Sequence, residues 1–171
     1  TAGRWLRAAA DQGDPRASFN LARLQMAAAV PELVAGEISQ LLRYAATAGL
    51  PVAQLAYGMA MHVVARDREG REAAAQWIFA AAKNGLADAQ YQLALMLAAG
   101  DGVERDPALA VEWLELAIAQ DHVAAKLALG RYLASGWEGV ASDPLRARRL
   151  LGEAAAAGLQ DAFDALEALG G

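Results

Sequence analysis

The chain has 171 residues, a formal net charge of -5 and no cysteine. That length supports one ordinary domain with its own core, and the acidic balance leaves no basic footprint for gripping phosphate backbones, which argues against a nucleic-acid partner. The missing cysteines remove disulfide staples and thiolate metal sites together.

Alanine makes up about a quarter of the residues, while β-branched and aromatic residues are thin, a balance that favours helix over sheet. No run approaches the roughly 18 consecutive apolar residues that a membrane span needs, and no basic-then-apolar leader opens the chain. Direct membrane insertion of this segment is therefore not expected. The sequence opens at Thr1 rather than at methionine, as a processed or excised chain would.

From the first residue onward the chain repeats itself. Residues 1–14 read as a partial unit that starts inside its second helix, carries Trp5 and closes at Gly13. Four full units follow at 15–50, 51–86, 87–122 and 123–159, and residues 160–171 read as a terminal capping helix. Three columns set this register. The closing residues are Gly13, Gly49, Gly85, Asp121 and Gly158, at spacings of 36, 36, 36 and 37. Eight positions earlier stand Trp5, Leu41, Trp77, Trp113 and Leu150, and four positions after the closure stand Ala17, Ala53, Ala89, Ala125 and Ala162. A period in the mid-thirties is the length of a helix–turn–helix solenoid unit. The one spacing of 37 arises where the turn Gly100-Asp101-Gly102-Val103 becomes Gly136-Trp137-Glu138-Gly139-Val140, one residue longer.

Within a unit, the segment from Ala87 to Ala99 places Tyr91, Leu93, Ala94 and Leu97 at helical spacing, and Gly100 is suited to end that helix. Asp106-Pro107 and Asp143-Pro144 then open the second helix with a capping carboxylate and a proline at the first helical position. Its stripe of Ala110, Trp113, Leu114 and Ala117 faces back onto the preceding helix. Each unit is thus expected to be an antiparallel hairpin. Because one hairpin cannot bury its apolar side alone, the hairpins must stack. The expected fold is all-α, a right-handed α/α superhelix of about ten helices.

The segment Ala89-Gln90-Tyr91-Gln92-Leu93-Ala94-Leu95-Met96-Leu97, with Gly100-Asp101-Gly102-Val103, Asp106, Ala110, Trp113 and Ala117, resembles the Sel-one-like repeat family, which is related to the tetratricopeptide repeat. The next copy repeats the pattern with Ala125, Leu129-Gly130, Tyr132, Gly136, Gly139-Val140, Asp143, Ala147 and Gly158. The two earlier copies keep the period but lack the glycine turn, having Val64-Ala65-Arg66-Asp67 in one and Val30-Pro31-Glu32 in the other. The resemblance implies a non-enzymatic adaptor or scaffold, in bacteria often outside the cytoplasm, in the periplasm or envelope; the compartment of this chain stays open.

Residues that could carry chemistry each have a plainer structural reading. The column of Trp5, Trp77 and Trp113 could stack sugars or bases, but its fixed place on the second helix makes a core role the expectation. Gly100-x-Gly102 follows no strand and precedes no Gly-Lys-Ser/Thr, so it is not a phosphate loop. His62 and His122 occupy non-equivalent places in their repeats, which argues against a histidine metal site or triad. Asp161, Asp164 and Glu167 could chelate a cation or form the solvated face of a capping helix. Asp101, Glu104 and Asp106 lack the EF-hand pattern, and helix capping by Asp106 accounts for that position. Arg146, Arg148 and Arg149 could receive an acidic partner or face solvent. No catalytic residue, metal site or cofactor is expected.

What varies between copies is the set of first-helix positions outside the buried stripe: Asn20, Arg23, Met59, Gln92, Met96, Arg131, Tyr132 and Ser135. Met and Tyr mixed with Asn, Gln and Arg have the character of an interface. The expectation is a protein or peptide partner on the concave face. The alternatives are a structural spacer or self-assembly module of a larger protein, or a small-ligand or enzymatic groove, which would need convergent titratable groups that these positions lack.

Overall fold

The structure is a computed structural model and describes residues 2–27 and 35–170. Among these residues there are ten helices, and the only strand-like pairing is a single bridge between Trp137 and Val140. The chain divides into two compact units, residues 1–84 and 85–171. The first holds α1 (Ala2–Asp11), α2 (Pro15–Ala27), α3 (Ala35–Thr47), α4 (Pro51–Val64) and α5 (Arg68–Lys83), each packed on the next. The second holds α6 (Ala87–Ala99), α7 (Pro107–Ile118), α8 (Val123–Ser135), α9 (Pro144–Ala156) and α10 (Gln160–Gly170), again packed in succession. The all-helical hairpin architecture expected from the period is what the chain adopts.

Each closing residue sits in a conformation that L side chains avoid. Gly13, Gly49, Gly85 and Gly158 have φ of 85°, 86°, 82° and 92°, and Asp121, the one non-glycine of the column, has φ of 60°. Such a backbone costs a residue with a β-carbon roughly 1–2 kcal/mol, and aspartate is among the types that bear it best. Here its carboxylate also receives Lys126 Nζ at 3.1 Å. The five columnar alanines beyond the closures are all buried, which lets consecutive helices come close.

The closest approach within a hairpin falls on a second column, read from the structure as Ala22, Gly58, Ala94 and Gly130. A β-carbon on Gly58 would stand 2.8 Å from Ile78 Cγ1 and 3.0 Å from the Ala74 carbonyl oxygen. One on Gly130 would stand 2.8 Å from Leu151 Cγ. The opposing leucine-type column, Leu42, Ile78, Leu114 and Leu151, is fully buried. Beside it runs a buried polar position that the hydrophobic reading passed over. Gln54 receives an amide proton from Asn84 Nδ2 at 3.2 Å, and Gln90 receives one from Gln120 Nε2 at 2.8 Å. These pairs, equivalent in their repeats, satisfy amides that burial alone would penalise.

The caps form as expected. Asp106 accepts from Leu109 N at 3.0 Å and Asp143 from Arg146 N at 3.0 Å, each with proline at the start of the helix. In the copy that lacks the glycine turn, α4 runs to Val64 and α5 starts at Arg68, capped by Asp67 Oδ1 accepting from Gly70 N at 2.8 Å. A capping aspartate thus replaces the loop with a three-residue link, and α5, at 16 residues, is the longest helix among the described residues. The Val30-Pro31-Glu32 turn lies outside the described residues. One expectation fails. Trp5 is 80 % exposed rather than part of a core.

Candidate functional site

The residues expected to form an interface separate by exposure. Asn20, Arg23, Arg131 and Ser135 are exposed, and Met59 and Gln92 are half-buried. Met96 is 7 % exposed and belongs to the core. It stands at a position where packing does dictate the residue, because α6 turns it inward with Leu93 and Leu97.

Tyr132 is half-buried within its own hairpin. Its ring stacks on Trp137 with centroids 4.1 Å apart and planes 14° from parallel, and the Arg105 guanidinium covers Trp137 at 5.8 Å from the ring centroid. Arg105 is held by an ion pair with Glu138 and donates from Nε to the Ala98 carbonyl at 2.9 Å. This sandwich ties the turn after α6 to the turn after α8. Burial raises the Tyr132 hydroxyl above its ordinary pKa, with Tyr91 adding to the effect, and the hydrogen bond from Arg105 lowers that of Glu138. Trp137 and Arg105 went unrecognised in the sequence. The one available signal was that the extra residue of the longer turn sits beside an aromatic.

Arg131, an exposed candidate of the second unit, reaches Asp161 Oδ2 at 3.5 Å on α10, so one of the three carboxylates considered as a chelating set is an ion-pair partner instead. Gln160 Nε2 donates to Asp164 at 3.4 Å. Among the described residues, no group of three or more His, Cys, Asp or Glu is placed to hold a metal ion. In the arginine cluster, Arg146 pairs with Glu115 and Arg148 donates to the Leu169 carbonyl at 3.1 Å, so two of its three members are engaged within the second unit.

His122 has a defined structural role. Its Nδ1 accepts from Ala125 N at 3.1 Å, capping α8, and its Nε2 lies 3.2 Å from Asp88 Oδ1. An accepting Nδ1 assigns the ring proton to Nε2, which donates to the carboxylate. Tyr91 packs on the other side, with ring centroids 4.8 Å apart. His62 is remote in sequence and lies in the first unit.

In that unit, Asn20 and Arg23 do converge. With Ala2 and Leu6 of α1 and with Leu24, Met26 and Ala27 of α2 they line an open groove of about 800 Å³. Arg23 lies over the Phe19 ring at 5.8 Å. Elsewhere on α1, Arg7 pairs with Glu37, which Gln25 also reaches at 3.2 Å. The hydrogen bond from Arg7 holds Glu37 below the usual carboxylate range.

The Sel1 repeat family matches residues 1–14, 87–122 and 123–159, half of the chain. A Sel1 repeat protein from Oxalobacter formigenes superposes with a TM-score of 0.84 at 27 % identity, over 98 % of this chain and 68 % of that one. A protective antigen of uropathogenic Escherichia coli that displays an SLR fold superposes with a TM-score of 0.81 at 27 % identity, over 92 % of this chain. This chain spans a third of that antigen's length, the covered share being 33 %. No curated protein matches the chain.

Proposed function

The chain belongs to the Sel1 repeat family, and from that premise we propose that it is a scaffold that binds another protein or a peptide on the exposed faces of its first helices. Sel1 repeats commonly serve as protein-interaction scaffolds and are generally not catalytic. Among the described residues no helix is long and apolar enough to cross a membrane.

The observation that supports the reading is the contrast between columns. Positions that pack, such as Ala53, Ala89 and Ala125 or Ile78, Leu114 and Leu151, keep one residue type. The open first-helix positions do not: Asn20 and Arg23 on α2, Met59 on α4, Gln92 on α6, and Arg131 and Ser135 on α8. Variation imposed by something other than packing is what a partner surface requires. Exposed arginine beside half-buried methionine supplies residue types enriched at interfaces.

A photo-crosslinking amino acid at positions 92 and 131, and separately at Glu112 and Arg149 on the second helices, tests the reading in cells of the native organism. Protein adducts from positions 92 and 131 are the expected outcome. Adducts confined to 112 and 149 would move the interface to the second helices. An absence of adducts at all four positions would sink the scaffold reading.

A further inference from the structure

We propose that an open recess among α1, α2 and α3 binds a primary ammonium group on an aliphatic stem, carried by a small free amine or by a lysine side chain of another polypeptide. The recess has a volume of about 420 Å³, and its wall includes Arg7 and Asp11 of α1, Ser18 of α2, and Glu37, Gln40 and Tyr44 of α3.

The second unit builds the same place and fills it with the chain's own ammonium. Every lining position has a counterpart three repeats on, among α7, α8 and α9. Ser18 becomes Lys126, Gly13 becomes Asp121, Tyr44 becomes Glu153 and Ala10 becomes Ile118. Lys126 Nζ lies 3.1 Å from Asp121 and 2.9 Å from Glu153, with its side chain only 13 % exposed. The two intermediate copies fill the position as well: Gln54 meets Asn84 and Gln90 meets Gln120, each across its own hairpin. Ser18 is the one short side chain of this column. It is buried, and its hydroxyl donates to the Asp14 carbonyl at 3.0 Å, within its own first turn. The recess is the space that this short side chain leaves, and Ala10 in place of an isoleucine widens it.

The charge of the recess selects the ligand. Arg7 is paired with Glu37, and Glu115 and Arg146 pair at the equivalent positions with their charges exchanged. With Arg7 and Glu37 answering each other, Asp11 leaves the lining one negative charge in excess. An anion would meet two carboxylates and a guanidinium already engaged, whereas a cation is drawn to the excess charge. An ammonium brings three donors. The Asp11 carboxylate, the Gln40 amide oxygen and the Tyr44 oxygen are acceptors for them, the Tyr44 proton being given to the Gly13 carbonyl at 2.8 Å. Ala10 and Leu41 offer apolar contact to the stem.

The test titrates the whole chain at neutral pH with pentylamine, with pentanol and pentanoate as neutral and anionic controls of the same length, and follows backbone amide shifts by NMR. Saturable shifts at Asp11, Gly13 and Tyr44 are expected from the amine, with binding of either control roughly tenfold weaker or less. Asp11→Asn, an exposed change, should weaken amine binding at least about threefold and melt with the parent. Ser18→Lys supplies the ammonium that Lys126 provides in the second unit and should abolish binding; should that variant fail to fold, Asp11→Asn still decides. A parallel titration with a capped pentapeptide, one lysine between pairs of alanines, separates the two sources. Tighter binding by the peptide than by pentylamine assigns a lysine side chain, the reverse assigns a free amine, and both uphold an ammonium site. Absence of saturable binding by amine and peptide alike overturns the proposal, as does binding of pentanol or pentanoate equal to that of the amine, or undiminished binding by Asp11→Asn. None of these residues is at position 92 or 131, so the ammonium site and the first-helix interface fail separately.

Discussion

Gly58 lies so close under Ile78 that a β-carbon on it would stand 2.8 Å from Ile78 Cγ1. Gly58→Ala gains roughly 1 kcal/mol of helix propensity but forces apart a contact that includes the Ala74 backbone carbonyl at 3.0 Å. Overpacking of this kind costs roughly 1–3 kcal/mol, so a net loss of about 1–2 kcal/mol is expected in chemical denaturation. Gly130→Ala meets only the side chain of Leu151 within 3.0 Å, which can shift, and its net cost should be smaller. Equal losses at the two sites would show that backbone proximity is not what sets the penalty.

The tryptophan column offers a paired comparison. Trp113, half-buried on α7, should cost about 3 kcal/mol on replacement by alanine through the cavity left in the second unit. Trp5, 80 % exposed, should cost under about 0.5 kcal/mol as an ordinary surface change. Thermal melts of the two variants read the difference directly. A Trp5→Ala protein as destabilised as Trp113→Ala would mean that α1 is buried in solution.

Arg131 and Tyr132 are neighbours with different expected consequences. Arg131→Ala removes an exposed side chain whose internal partner, Asp161, is 3.5 Å away, so melting should hardly change. Binding of the native partner should weaken about tenfold, roughly 1.4 kcal/mol. Tyr132→Ala dismantles the stack on Trp137 and should lower the melting temperature whatever happens to binding. A Tyr132→Ala protein that keeps its stability but loses its partner would return the ring to the interface.

Acid should weaken the first unit through Glu37. Its carboxyl is held below its ordinary range chiefly by the hydrogen bond from Arg7, so its stabilising effect is present above the ordinary carboxylate pKa. That effect is lost as pH falls through the lowered value. Both side chains are more than a third exposed, at 44 % and 37 %, so the effect should stay below about 1 kcal/mol. Glu37→Gln should remove this part of the acid dependence in melts between neutral and acid pH. An unchanged acid slope would place the titrating group elsewhere.

Sequence alone determined the helical class, the period, the closing residues and the caps at Asp106 and Asp143. These are local properties: a backbone that needs positive φ selects glycine, a helix start selects a carboxylate and proline, and a buried stripe repeats because every hairpin must bury it. Even Asp121, the exception to the glycine column, kept the conformation of its column at φ 60°.

Tertiary structure decided which repeated positions are occupied by neighbours. Trp5 and Trp77 share a column, but Trp77 has Tyr57 against it while Trp5 is 80 % exposed, a difference that spacing alone does not give. Met96 and Tyr132 share another column. Met96 turned into the core of the second unit, while Tyr132 was drawn onto Trp137, because only the longer turn after α8 carries an indole within reach. Periodicity gives the face of a helix on which a residue stands. Whether that face is covered depends on contacts between segments thirty or more residues apart, as with Arg7 and Glu37 or Gln90 and Gln120, and only the folded chain brings those together.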